Sequence, residues 1–136
     1  MAAKSQTANS LKELCKSLED ALLAARSGDG NHPSAVAEAY RFSRDIRDLA
    51  NSIGYPLLGM IATNLCRIFE VAGKAKIRCP QQILDCHFEA LRLAQTPAYE
   101  RMQPAELPQL AMGLQQIVQI VKTNAARAGA ATKVAP

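Results

Sequence analysis

Two apolar stripes meet across a glycine near the middle of the chain. Phe42, Ile46, Leu49 and Ile53 follow one another at steps of four, three and four, Gly54 comes next, and Leu58, Ile61, Leu65 and Ile68 resume the same stepping. Residues so spaced share one side of an α-helix, which turns by about 100 degrees per residue, and share no side of a strand. A glycine between the runs suits a helix end, because a left-handed residue there needs no Cβ. The centre of this chain is therefore expected to fold as two helices joined by a tight turn, each burying its stripe against a neighbour.

The remaining sequence repeats this logic. A first helix is expected over residues 7–26, with Ala8, Leu11, Cys15, Leu18, Leu22 and Ala25 as its stripe and Leu14 and Ala21 widening it. Gly28, Asp29, Gly30 and Asn31 break it. The second is expected over 33–52, with Pro33 in its first turn, where a missing N–H costs nothing. The third runs over 56–73. The fourth covers 80–95, where Ile83, Leu84, His87, Phe88, Leu91 and Ala94 share a side and Thr96-Pro97 stops the helix. The fifth begins between Pro104 and Pro108 and reaches about residue 126. Its stripe of Leu107, Leu110, Leu114, Ile117 and Val121 is the cleanest heptad-like pattern present. No segment alternates with period two. The expected fold is all-α, an antiparallel bundle of one domain over 7–127, with a disordered N-terminus at 1–6 and a disordered tail at 128–136.

Composition narrows the function classes. The chain has 136 residues, 49% of them apolar, and a formal charge of +4. No apolar run approaches the roughly 18 residues that span a bilayer, and the start is polar, so a cytoplasmic location is expected, without membrane contact. Lys74, Lys76 and Arg78 form one basic spot, and Lys122, Arg127 and Lys133 another. Neither is dense enough, or interleaved with aromatic residues, to read as a nucleic-acid footprint. Cys15, Cys66, Cys79 and Cys86 contain no Cys-x-x-Cys pair and read as reduced, packed thiols. Cys79, Cys86 and His87 do not match a zinc spacing, and no cofactor is expected. Templates for a nucleophilic serine, a phosphate-binding glycine loop and a zinc protease are all missing, so no catalytic residue is expected.

The run Arg44-Asp45-Ile46-Arg47-Asp48-Leu49-Ala50-Asn51-Ser52-Ile53-Gly54 resembles the signature of histidine-containing phosphotransfer (HPt) domains, His-x-Leu-Lys-Gly-x-Ala-x-x-x-Gly followed by helically spaced apolar residues. Ile46, Arg47, Ala50 and Gly54 match, with Arg47 for the usual Lys, and Leu58, Ile61 and Leu65 continue the pattern. The resemblance covers about residues 8–72. It implies an antiparallel four-helix bundle with an additional N-terminal or short helix, working in bacterial two-component signal transduction. Arg44, however, occupies the place of the phospho-accepting His. A guanidinium stays protonated at physiological pH and is no nucleophile. Asp48 replaces a glycine that would give a partner close access, and adds negative charge. The resemblance thus implies the scaffold and withdraws its reaction.

Helical geometry places Tyr40, Arg44, Arg47, Asp48 and Asn51 opposite Phe42, Ile46 and Leu49, with Arg41 at the flank. Such a face would dock on the acidic pocket of a response-regulator receiver domain, or on a histidine kinase, without carrying phosphate, since arginine binds carboxylates in fork geometry. The plainer alternative is a solvated helix with i,i+4 ion pairs Arg41–Asp45 and Arg44–Asp48. His87 is the alternative phospho-acceptor, although its apolar neighbours point to a packed imidazole. His32 is expected to serve the start of the second helix. Lastly, the stripe of the fifth helix, whose other side carries Gln109, Gln115, Gln116 and Gln119, would serve either the core or a homodimer unrelated to phosphorelay.

Overall fold

A computed structural model describes residues 2–25, 33–75, 77, 79 and 81–134. Every regular element among them is helical: α1 (Ala2–Ala25), α2 (Pro33–Ile53), α3 (Pro56–Ala75), α4 (Gln81–Ala94), a 3₁₀ turn (Pro104–Glu106) and α5 (Pro108–Val134). The five expected helices are all present. Two bounds differ. The α1 helix starts at Ala2, inside the segment expected to be disordered, and α5 continues to Val134, through most of the expected tail. Small residues with high helix propensity, Ala125, Ala126, Ala128, Ala130 and Ala131, carry α5 onward where the apolar stripe has ended. The 28–31 break, His32 and Pro80 lie outside the described residues.

The α2–α3 junction follows its glycine. Gly54 has φ +83°, and both Gly54 and Tyr55 donate their N–H groups to the Ala50 carbonyl, at 3.1 and 2.9 Å. These two hydrogen bonds to one carbonyl close the last turn of α2 and reverse the chain within two residues. Beyond it, α3 is the most buried helix: Leu57, Leu58, Ile61, Ala62, Leu65, Ile68, Phe69 and Ala72 all belong to the core. A stripe this broad has partners on several sides. The α3 helix packs on α2, α4 and α5, while α1 packs on α2 and α4. Hence α1, α2, α3 and α4 each touch the next, α4 returns to α1, and α5 lies against α3 outside that ring.

Burial follows the stripes. Leu11, Cys15, Leu18 and Leu22 of α1, Ile46 and Ala50 of α2, and Leu84 and Leu91 of α4 are all at most 2% exposed. Each such Leu or Ile contributes about 1.5–3 kcal/mol by leaving water. In α5, Leu114, Val118 and Val121 are buried, while Leu107, Leu110 and Ile117 are only partly so. The stripe of α5 therefore fills core on its α3 side and remains half-open elsewhere. No helix among the described residues is long and apolar enough to cross a membrane.

Candidate functional site

The outer face of α2 is built by the register of its buried side. With Ala39, Ser43, Ile46 and Ala50 turned inward, Arg41, Arg44, Asp48 and Asn51 are exposed, and Tyr40 and Arg47 are half-buried at the seam with α3. The ion pairs Arg41–Asp45 and Arg44–Asp48 do not form. Instead the Arg44 guanidinium lies over the Tyr40 ring, 5.8 Å from its centroid, and Arg41 lies over Phe42 at 5.1 Å. A weakly hydrated planar cation gains from an aromatic face what a surface carboxylate supplies only weakly. The one pair made here joins neighbours: Arg47 donates its Nε–H to the Asp48 carboxylate at 3.1 Å.

Side chains of α3 complete this surface. Burial raises the Cys66 thiol pKa above its usual 9.0, even though Arg47 and Arg44 draw it down; Glu70 and Asp48 act with burial. The Tyr40 hydroxyl is likewise shifted up, by desolvation and then by the Glu70 carboxylate. The charged groups that act on the Cys66 thiol thus come from both α2 and α3. The spacing within α2 alone did not reveal Cys66 or Glu70; the signal lay in α3, where they flank the stripe on one side. Asn51 is placed by a close approach. A Cβ on Gly59 of α3 would collide with the Asn51 carboxamide oxygen, so a residue without a side chain leaves room for that carboxamide.

His87 does not join this face. It belongs to α4 and is 0% exposed. Its Nδ1–H donates to the Ile83 carbonyl at 2.9 Å, and its Nε2 has no hydrogen-bond partner. Burial lowers its pKa from the usual 6.5, more than the Ile83 contact raises it. The imidazole is therefore a neutral core group with no ring nitrogen open to an incoming phosphate. Among the described residues no group of three or more His, Cys, Asp or Glu side chains is positioned to hold a metal. Cys15 and Cys79 are buried thiols pushed up to about 12 and about 11 by desolvation; both are poor nucleophiles. Chemically, the α2 face offers two aromatic-backed guanidiniums, a third held by a carboxylate, and an exposed carboxamide. Such a set has the chemistry to hold an anion. No protein-family model, curated protein or solved structure matches the chain.

Proposed function

We propose that the chain is a non-catalytic HPt-like signalling module, with α1 to α4 as its antiparallel four-helix bundle. In this reading its α2 face docks on the acidic pocket of a receiver domain, or on a histidine kinase, and modulates a phosphorelay without carrying phosphate. The observation that carries the reading is Arg44. It stands exposed on the outer side of α2, ten residues before the Gly54 turn, stacked on Tyr40 and with no carboxylate bound to it. A guanidinium oriented by a ring and not neutralised within its own helix is ready to accept a partner's carboxylates in fork geometry. Arg41 shares this state on the flank. Arg47 is already shared with Asp48, so it supports the face more than it leads it.

Calorimetric titration against receiver domains of the same organism tests this. Reversing both charges, Arg44→Glu with Arg47→Glu, is expected to weaken binding at least about tenfold, and added salt to weaken the wild-type complex. A double variant that binds as well as wild type removes the α2 face from the reading. Incubation with phosphorylated receiver is expected to leave the protein unlabelled. Acid-labile label that disappears in His87→Gln would instead make His87 the acceptor, and would require α4 to open.

A further inference from the structure

A second polar surface lies on the opposite flank of α3 from α2. The α3 and α5 helices diverge there into a groove of about 430 Å³. Its floor holds Asn64 and Val118, each 3% exposed. Its walls carry Arg67 from α3 and Gln115, Gln116, Gln119 and Lys122 from α5, with Met112 at one lip. No acidic residue lines it, and neither Arg67 nor Lys122 is paired with a carboxylate among the described residues.

Asn64 is the residue that turns this groove into a site. It interrupts the apolar stripe of α3 between Ile61 and Leu65. Its Nδ2 is buried and has no hydrogen-bond partner. Native interiors rarely leave such a donor unmatched, and a bound ligand that supplies the acceptor is one way to satisfy it. Around it the groove supplies more donors: a guanidinium fork, an ammonium and three side-chain amides. The two cations come from opposing walls, and Val118 and Met112 provide apolar surface between them.

We propose that the α3–α5 groove binds a small dicarboxylate. One carboxylate takes the Arg67 fork and the second takes Lys122. Asn64 donates from the floor, and the short carbon chain lies on Val118 and Met112. The volume falls within the usual range for small-molecule clefts, roughly 300–1,000 Å³. The site uses none of the α2 docking residues, so it stands or falls independently of receiver binding.

The probe is succinate, added to ¹⁵N-labelled protein and followed by calorimetry and by side-chain amide resonances. Saturable binding is expected, with a dissociation constant on the order of 1 mM or tighter, and with the Asn64 and Gln side-chain signals moving. Arg67→Gln and Lys122→Gln, both at exposed positions, are each expected to weaken it about tenfold. Asn64→Leu is expected to abolish it while leaving the protein folded and no less stable, since it removes an unmatched donor at similar volume. Butyrate, with one carboxylate, should bind several-fold more weakly. The proposal is overturned if succinate does not bind, if binding survives Arg67→Gln or Asn64→Leu unchanged, or if inorganic phosphate binds more tightly than succinate. Should Asn64→Leu fail to fold, the two surface variants decide the matter alone.

Discussion

His87 takes an imidazole where water does not follow. The Ile83 carbonyl can only accept, so Nδ1 carries the proton and Nε2 presents a lone pair to the core. Protonating Nε2 there would bury a charge, and this is why desolvation leads the downward shift from 6.5. The unfolded chain takes up that proton as pH falls below 6.5, while the folded chain does not. The stability contributed is therefore full above 6.5 and is lost as pH drops through the lowered value. Urea unfolding at about pH 7.5 and about pH 5.5 should show wild type weaker at the lower pH. Glu19 acts with the opposite sign. Burial raises its carboxyl from 4.5, so it favours the folded state on acidification, an effect complete once the pH has fallen to 4.5. His87→Leu separates the two: its stability at neutral pH should lie within about 1 kcal/mol of wild type, and its loss on acidification should be smaller. An equal loss in both proteins would move the pH dependence elsewhere.

Two glycines, one at a helix end and one where α2 and α3 approach, do different work. Gly54 ends α2 in the left-handed region, so Gly54→Ala should cost about 1–2 kcal/mol, read as a lower urea midpoint. Gly59 sits within regular helix and faces Asn51. An added methyl there meets the far end of a flexible side chain, which can turn away. Gly59→Ala is thus expected to change stability by less than about 1 kcal/mol while displacing Asn51, and with it to weaken the receiver docking proposed above. A large loss of stability would show that α2 and α3 separate instead. Gly54 was legible in the sequence, because a glycine after a completed stripe has few other uses. Gly59 was not, because its reason lies on another helix. The same division runs through the site. Periodicity within α2 identified which residues face outward, and Arg44 and Asn51 do. It gave no account of what they touch: one of its two readings paired Arg41 and Arg44 with carboxylates one turn on, whereas aromatic rings hold them. Asn64 drew no notice within the stripe of α3, because its meaning required α5 beside it.

At the scale of the molecule, the helices differ in how many neighbours hold them. The α3 helix is enclosed by α2, α4 and α5, whereas α5 rests mainly on α3. Between α4 and α5 the structure opens into an apolar cleft of about 840 Å³, where Leu93, Leu110, Leu114 and Ile117 line the walls. Met112 and Ile120 are 59% and 53% exposed on the same helix. Helices held on one side open at lower free energy than those held on three, because fewer buried contacts must be broken. Backbone hydrogen exchange should accordingly be fast in α5, slow in α1 and α2, and slowest in α3 from Leu57 to Phe69. Succinate at saturation should slow α5 selectively, since it would bridge α5 to α3 through Lys122 and Arg67. Exchange in α5 as slow as in α3 without ligand, at every protein concentration, would show that its contacts with α3 are sufficient and that the α4–α5 cleft does not weaken it. Exchange that slows as concentration rises would instead place a second copy of the chain over the half-open stripe, the arrangement that its Gln-rich outer side and partly buried Leu107, Leu110 and Ile117 allow.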